Sequence, residues 1–359
     1  MSGEDKHSII RLKPKVSPDK ILAGFPWVYD NELVLDRRTK QLTSGKIVEL
    51  QDSARNFLAT AVVNPKSKIF ARVITKTANK IGGSELVFKR ISAAKAFREG
   101  IFTDPYYRLI NSEADQMPGT IIDRFGDFFV IQPNSVWAEN NLDNITDALV
   151  ELFNPEGIIK NANSRARTLE GLDDCSLLIH GSVPTTPLQV PMNGAIYMAD
   201  LNYGQKTGLF YDQRLNQAFL SSISKNKTVL DVFSHVGGFA LAALVGGAVE
   251  ATAVDASQAA LELAEQGAEA SGFKSALSII KDDGFNALKC LRNEGKKFDI
   301  VICDPPAFAP SRQALSSGLR AYERLARISA GLVEEGGILV LCSCSHSASL
   351  SKFREACIR

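Results

Sequence analysis

The sequence lacks any apolar run that approaches the ~20 residues needed to cross a bilayer as a helix. The opening stretch from Met1 to Asp5 also lacks the basic and then apolar layout of a secretory signal peptide. Hydrophobic residues make up 45% and charged residues 23% of the 359-residue chain, as in an ordinary soluble protein. We therefore expect a cytoplasmic protein with no membrane partner and, from the length, two or three domains.

Cysteine is scarce as well, and its six positions have no disulfide-framework spacing. No pair has the Cys-x-x-Cys spacing of a zinc site, so no metal is expected. In a reducing compartment the thiols should be free, and most should be buried as small apolar side chains. Cys342 and Cys344 lie two residues apart at the end of an apolar run, so on a strand they should point to opposite faces.

The chain has almost no excess of charge of either sign, since its net charge is only +1. The positive and negative residues are nevertheless unevenly distributed along it. Residues 1–80 carry 15 Lys and Arg against 8 Asp and Glu, a net charge of +7, whereas residues 81–228 carry −4 and residues 229–359 carry −2. A small basic domain joined to a nearly neutral one favours a polyanion-binding module. The alternative is a surface that is merely rich in lysine.

The pattern of apolar residues divides the chain into three regions. Short alternating runs predict a small antiparallel β-barrel over residues 1–80, with a linker at 78–84. Residues 81–185 mix helix and strand, which predicts an α+β domain. Expected strands of these two regions lie at 47–50, 58–63, 70–74, within 119–131 and at 158–160, and expected helices at 86–99 and 138–153.

Residues 186–359 alternate strands with helices, which predicts a parallel α/β sheet. Ser257 should cap a helix that Gly272 ends. A helix near 319–333 should stop at Gly336-Gly337, before the last strand. The expected strands are 228–233, 251–254, 276–280, 298–302 and 338–341.

Two neighbouring strands should deliver the chemistry, because parallel sheets present functional groups at the carboxyl ends of their strands. One apolar run ends in Asp304-Pro305-Pro306-Ala307-Phe308, and the next ends in Ser343-Cys344-Ser345. A carboxylate beside a thiol indicates an enzyme that works on a planar nucleobase. The alternatives are a turn cap for Asp304 and a small buried residue for Cys344.

Three earlier strand ends carry acids or glycines suited to a ligand. The stretch from Asp231 to Phe239 holds glycines that let backbone amides approach an anionic group at a helix start, although a plain tight turn has the same pattern. Asp255 lies where an acid accepts hydrogen bonds from ribose hydroxyls. Asp283 could accept from an adenine amine, with Phe285 against the ring. Each acid alone could instead be a helix cap.

Together these motifs resemble those of class I S-adenosylmethionine-dependent methyltransferases. More narrowly, the chain resembles the bacterial 23S ribosomal RNA large subunit methyltransferase I family, which makes 5-methylcytosine. The stretch Gly204 to Arg214 is similar to that family's signature before the Rossmann-like sheet, 111–124 to its central domain, and Gly24 to Glu32 to the opening of its PUA domain, an RNA-binding barrel. The resemblance covers nearly the whole chain.

The resemblance implies a PUA domain at 1–80, a central α+β domain at 81–185 and a Rossmann-like methyltransferase domain at 186–359. It implies S-adenosylmethionine as cofactor, 23S ribosomal RNA as partner, and leaves a homodimer open. The implied cofactor-binding residues are Gln205, Lys206, Thr207, Phe210, Arg214, Asp231, Phe233, Ser234, Gly237, Gly238, Phe239, Asp255, Ala256, Asp283, Gly284, Phe285, Asp304 and Pro305. The implied RNA-binding residues are Arg11, Lys13, Lys15 and Lys20.

The chain departs from the family pattern at three places. Ser345-His346 stands where the family usually has Ser-Gly, and Ala307 stands where it commonly has Lys. The family also continues with a closing β-hairpin beyond the point that corresponds to Arg359. The expectation is therefore that either the sequence is a fragment or the edge of the sheet is incomplete.

The implied reaction uses Cys344 as nucleophile and Asp304 as the acid that hydrogen-bonds and protonates the pyrimidine edge. The base that removes the carbon-5 proton stays open between Cys342, His346 and water. Two other functions also stay open. One is methylation of a guanine or adenine nitrogen, which needs no thiol, and the other is RNA binding with an inactive methyltransferase domain.

Overall fold

The computed structural model describes residues 8–77, 83–201 and 208–358. The chain forms two compact units. The N-terminal unit comprises Met1–Thr185 with Leu201–Gly208, and the C-terminal unit comprises Thr186–Asp200 with Leu209–Arg359. The division into three domains, at residues 80 and 185, stays a prediction. No helix within the described ranges is long and apolar enough to cross a bilayer.

The N-terminal unit begins with a five-stranded sheet that forms because its strands alternate buried and half-buried side chains; in Ile47–Gln51, Val48 and Leu50 are fully buried. The sheet order is β1-β3-β4-β5-β2. Its strands are β1 (Ser8–Arg11), β2 (Trp27–Tyr29), β3 (Ile47–Gln51), β4 (Phe57–Val63) and β5 (Ile69–Thr75), with helices α1 (Asp19–Leu22) and α2 (Arg37–Lys40). β1 pairs with β3 in parallel, so the predicted purely antiparallel arrangement is wrong for this pair.

The same unit holds a second five-stranded sheet, ordered β10-β9-β8-β7-β6. Its elements are α3 (Ser84–Glu99), β6 (Tyr106–Asn111), β7 (Thr120–Phe125), β8 (Phe128–Pro133), α4 (Val136–Asn140), α5 (Leu142–Phe153), β9 (Gly157–Lys160), α6 (Arg165–Glu170) and β10 (Leu177–Gly181). The predicted helix at 138–153 is two helices. They separate at Asn141, whose side-chain amide donates to the carbonyl of Trp137 at 2.8 Å.

A buried polar cluster joins these two sheets within the N-terminal unit. Arg72 on β5 donates to Glu113 at 2.8 Å and to Glu170 at 2.9 Å. The indole of Trp27 also donates to Glu113 at 2.8 Å, and the amide of Asn64 donates to Glu170 at 2.9 Å. Glu170 is almost fully buried, so these donors replace the hydrogen bonds that water would otherwise make to it.

The C-terminal unit is built on a five-stranded parallel sheet ordered β15-β14-β13-β16-β17. Its elements are the hairpin β11 (Leu188–Met192) and β12 (Ala195–Ala199), then α7 (Arg214–Ile223), β13 (Thr228–Val232), α8 (Gly238–Val245), β14 (Glu250–Asp255), α9 (Gln258–Ala270), β15 (Leu277–Lys281), α10 (Gly284–Asn293), β16 (Phe298–Cys303), α11 (Leu315–Ala330), β17 (Val333–Leu341) and α12 (Leu350–Ile358). The first three strands are added towards one edge of the sheet and the last two towards the other edge, so the strand order reverses between β13 and β16. Such sheets bind ligands at that point, beside the carboxyl ends of the strands.

The predicted parallel sheet is confirmed, and Ser257 caps α9 by accepting the N–H of Ala260. The predicted end of the last sheet helix is wrong. That helix ends at Ala330, and Gly336 and Gly337 lie inside β17. Gly336 has a φ of +75°, and a Cβ on Gly337 would lie 2.6 Å from the carbonyl oxygen of Asp299. The two glycines therefore shape an irregular edge strand beside β16.

Candidate active site

The turn between β13 and α8 has an unusual backbone. Phe233 and His235 have φ angles of +65° and +51°, and Gly237 follows at +76°. The left-handed region is costly for residues with a Cβ, above all for an aromatic residue, and such strain concentrates at functional sites. The ring of His235 meets that of Phe210 edge-on at 4.9 Å. This turn, residues 233–237, is here named the glycine turn.

Asp231 holds the glycine turn against α8. One of its carboxylate oxygens accepts the N–H groups of Phe239 at 3.1 Å and Ala240 at 2.9 Å. Burial, and then the nearby charges of Asp304 and Asp255, raise its pKa to about 7 despite these hydrogen bonds. The backbone N–H of Phe239 is therefore used inside the fold, and its side chain is buried.

Replacing Asp231 by Asn should change how stability depends on pH. The unfolded carboxyl loses its proton near pH 3.8, but the folded one keeps it up to about pH 7, so Asp231 makes the wild type less stable as the pH rises between these values. We expect the free energy of unfolding of Asp231→Asn to fall by up to about 4 kcal/mol less than that of the wild type over this pH range. Urea titrations followed by far-UV circular dichroism would measure it.

Asp299→Asn is the matched control, because hydrogen bonds from Thr228 and Lys227 lower the pKa of Asp299. That carboxylate contributes stability above its ordinary pKa and loses it at lower pH, the opposite sign. An Asp231→Asn variant with the wild-type pH slope would contradict the assignment.

Two buried polar atoms at the glycine turn have no hydrogen-bond partner among the described residues, namely the hydroxyl of Ser234 and the second carboxylate oxygen of Asp231. Buried polar atoms are normally paired, so these two indicate a place for a ligand with hydrogen-bonding groups. The glycines are also closely packed. A Cβ on Gly238 would lie 2.8 Å from the amide nitrogen of Gln217.

Asp255 and Asp283 both bind backbone amides. The carboxylate of Asp255 accepts from His235 at 2.9 Å and from Ser257 at 2.8 Å, while Ala256 beside it is exposed. Asp283 is the N-cap of α10 and accepts from Phe285 at 3.0 Å. Asp283 thus has the capping role that the sequence left open, whereas Asp255 holds two loop amides and Ser257 caps the helix that follows it. The contacts of both acids with a ligand stay predictions.

The start of α10 packs tightly against the glycine turn. A Cβ on Gly284 would lie 2.5 Å from the ring of Phe233, so glycine is required there for this approach. The ring of Phe285 lies 5.8 Å from that of Phe308 and 4.9 Å from the guanidinium of Arg324. Part of its surface is therefore already covered by protein.

Asp304 follows β16 and is held by a residue whose role the sequence did not suggest. The amide nitrogen of Gln213, just before α7, donates to a carboxylate oxygen of Asp304 at 2.9 Å. Pro305 is buried next to it. Gln213 lies inside the signature stretch, directly before Arg214, and this position is the sequence feature that could have suggested its role at the site. Arg214 itself is mostly buried at the start of α7.

The thiol of Cys344 is exposed, and its sulfur lies 3.9 Å from the carbonyl oxygen of Pro305. The structure therefore brings the two predicted catalytic segments together. β17 ends at Leu341, so strand alternation does not govern Cys342 and Cys344. Burial, then the charges of Asp304 and Asp231, raise the pKa of Cys342 to about 12. Cys303 is buried, as expected of a core residue.

The other predicted residues lie in different settings. Lys13 is exposed and donates to the carbonyl of Asn31 at 2.9 Å, and Lys15 is exposed. Lys20 pairs with Glu32, which reduces its positive potential. Arg11 is half-buried at the end of β1. Gln205, Lys206 and Thr207 lie outside the described residues, and within those ranges no three His, Cys, Asp or Glu side chains cluster as a metal site.

Two family models match the chain, a PUA-like domain at residues 10–76 and an S-adenosylmethionine-dependent methyltransferase at residues 172–353. The chain is 35% identical over 341 residues to ribosomal RNA large subunit methyltransferase I of Vibrio vulnificus, covering 93% of this chain and 85% of that protein. It is 34% identical over 339 residues to the protein of the same name from Aeromonas salmonicida, covering 93% and 85%.

Solved structures show the same fold. A protein from Streptococcus mutans assigned to the SAM-dependent methyltransferases superposes with a TM-score of 0.82 at 22% identity, over 98% of this chain and 89% of that one. The predicted arrangement of a PUA-like domain, a mixed α/β region and a Rossmann-like sheet is confirmed.

Proposed function

Since this chain belongs to the ribosomal RNA large subunit methyltransferase I family, whose members depend on S-adenosylmethionine, we propose that it methylates carbon 5 of a cytosine in 23S ribosomal RNA. One observation carries the proposal. The exposed sulfur of Cys344 lies 3.9 Å from the carbonyl oxygen of Pro305, in the turn that also carries Asp304. A thiol beside an acid is what cytosine carbon-5 chemistry needs, whereas methylation of a purine nitrogen needs no thiol.

The glycine turn fits S-adenosylmethionine, which supplies an electrophilic methyl group when bound. The buried hydroxyl of Ser234 and the second oxygen of Asp231 lack partners within the described residues, so each offers a hydrogen-bonding position to a polar ligand. Asp255, at the end of β14, would accept from the ribose, and Phe285 would contact the adenine.

Carbon 5 of cytosine is a poor nucleophile, and Cys344 would activate it by adding to the neighbouring carbon 6. Its thiolate forms a bond to carbon 6 of the ring, and the electron pair of the carbon 5–carbon 6 double bond then becomes available at carbon 5. Carbon 5 would take the methyl group from the sulfonium of S-adenosylmethionine, whose sulfur would keep the electron pair of the broken sulfur–methyl bond. Carbon 5 would afterwards lose its own proton to a base. The sulfur–carbon 6 bond breaks in the same step, which restores the double bond and the free thiolate.

Asp304 assists addition by hydrogen-bonding and protonating the ring edge, so that negative charge does not build up on the base. The amide of Gln213 fixes one oxygen of this carboxyl group, which orients the acid in its turn. The high pKa of Cys342 keeps its thiol neutral near pH 7, which argues against it as the base and leaves His346 or water.

The PUA-like domain is proposed to hold the RNA. Residues 1–80 carry a net charge of +7, and a basic surface binds the phosphate backbone with an affinity that falls as salt rises. Of the predicted contacts, Lys13 and Lys15 are exposed. The target base itself must be single-stranded or leave its helix for its ring to reach the thiol of Cys344.

The identity of the methylated nucleoside tests the proposal. Deproteinised 23S ribosomal RNA would be incubated with the protein and isotope-labelled S-adenosylmethionine, digested, and analysed by mass spectrometry. We expect label in 5-methylcytidine, at one position in the RNA. Label in an N-methylated guanosine or adenosine would favour the nitrogen alternative. RNA binding without calorimetric heat for S-adenosylmethionine would favour the inactive binding protein.

A further inference from the structure

The turn that carries Cys344 is closed by a ring of hydrogen bonds through a helix residue. The N–H of Ser345 donates to the hydroxyl of Ser343 at 3.3 Å, which in turn donates to the phenol oxygen of Tyr322 at 2.9 Å. The phenol oxygen lies 2.8 Å from the hydroxyl of Ser345. The ring has a consistent direction when Tyr322 donates to Ser345, so the cysteine is flanked on both sides by serines bound to one tyrosine.

The same ring reaches the segment that carries Asp304. The buried hydroxyl of Ser345 also accepts the N–H of Ala309 at 3.0 Å. Ala309 lies five residues after Asp304 and is fully buried. A single serine hydroxyl therefore connects the turn of the thiol to the loop of the acid.

Tyr322 is well fixed for such a role. It lies on α11 with only 1% of its surface exposed. Its ring is 4.9 Å from that of Phe308 and 5.0 Å from that of Phe353. A hydroxyl on an immobile ring can hold two serines in one geometry at little entropic cost. Mobile water molecules bound to the same serines would not fix their positions.

We propose that Tyr322 is a positioning residue, which holds Ser343 and Ser345 so that the sulfur of Cys344 and the carboxyl group of Asp304 face the same base. This inference rests on the proposed cytosine reaction. Tyr322 acts through the serines and does not touch substrate. Its loss should leave cofactor binding intact and slow the attack on carbon 6, because small displacements of a nucleophile cost large factors in rate.

Tyr322→Phe removes the hydroxyl and keeps the packed ring. We expect kcat for methylation of 23S ribosomal RNA to fall by roughly tenfold to a hundredfold, with the KM for S-adenosylmethionine within about twofold of wild type. Hydrogen–deuterium exchange should become faster in peptides that cover Ala309 and Ser345. Ser343→Ala should behave like Tyr322→Phe, and Ser343→Thr, which restores a hydroxyl, should recover most of the rate.

Tyr107→Phe is the matched control, since Tyr107 is equally buried and its hydroxyl accepts from Arg124 at 2.8 Å in the N-terminal unit. It should lower stability without changing kcat. Faster exchange with unchanged kcat in Tyr322→Phe would overturn the proposal, and so would unchanged exchange. An active Cys344→Ala variant would instead overturn the proposed cytosine reaction, and the exchange result would still report on the hydrogen-bond ring.

Discussion

Cys344→Ala is expected to abolish methyl transfer to 23S ribosomal RNA, with kcat reduced by ~10³-fold or more, while S-adenosylmethionine still binds. The reason is chemical. Without the sulfur, nothing else in the turn can add to carbon 6 of cytosine, because Cys342 is a neutral thiol near pH 7. Labelled methyl incorporation and a calorimetric titration of the cofactor would measure the two effects separately.

Cys344→Ser and Cys290→Ala sharpen this test. Serine is nearly the same shape as cysteine, but its hydroxyl does not ionise near neutral pH, so it should be as inactive as alanine. Cys290 is an exposed cysteine on α10, and its replacement should leave kcat unchanged. Methylation by Cys344→Ala near the wild-type rate would exclude the covalent route and favour a ring or exocyclic nitrogen as the methylated atom.

The covalent step can also be seen directly. RNA in which 5-fluorocytidine replaces cytidine should form a stable adduct with the wild type. Fluorine takes the place of the carbon-5 hydrogen that the base removes, so elimination is blocked and the sulfur–carbon bond persists. We expect a shifted band on denaturing gels for the wild type and Cys290→Ala, and none for the two Cys344 variants.

The sequence predicted the elements of the C-terminal sheet well, because buried parallel strands and capped helices have strong local patterns. Ser257 is one example, since its hydroxyl accepts the N–H of Ala260, only three residues later in the chain. Gly336 and Gly337 were misassigned as a helix stop because glycine has no preference between ending a helix and shaping an edge strand. The deciding contact, with the backbone of Asp299 on a neighbouring strand, is distant in sequence.

The candidate site followed the same rule. Strand ends predicted that Cys344 and Asp304 would meet, and the structure brings their segments together. Tyr322 and Gln213 were not predicted as supports, because each acts through a contact that only the folded chain creates. Likewise, the raised pKa of Asp231 comes from full burial beside two other carboxylates, which no spacing along the chain reveals.

Arg72→Ala is expected to destabilise the N-terminal unit by about 3–5 kcal/mol, the largest stability effect we anticipate. Arg72 is the cation that neutralises both Glu113 and the nearly buried Glu170. Its removal leaves two carboxylates, both largely buried, without their charge partner. Burial raises the pKa of Glu113, but hydrogen bonds from Ser112 and Trp27 and the charge of Arg72 more than offset this and lower it.

The chain provides its own probe for this measurement. Its two tryptophans, Trp27 and Trp137, both lie in the N-terminal unit, so tryptophan fluorescence during urea unfolding follows that unit alone. Arg37→Ala, at an exposed position on α2, is the matched control and should change stability by no more than about 0.5 kcal/mol.

A double variant separates the charge effect from simple loss of contacts. Arg72→Leu with Glu170→Leu removes the cation together with the more deeply buried carboxylate, so one unpaired carboxylate remains instead of the two that Arg72→Leu leaves. Its loss of stability should therefore be clearly smaller than the sum of the two single losses. Additive losses, or an Arg72→Ala variant as stable as Arg37→Ala, would mean that water reaches the cluster and that the ion pairs contribute little to joining the two sheets.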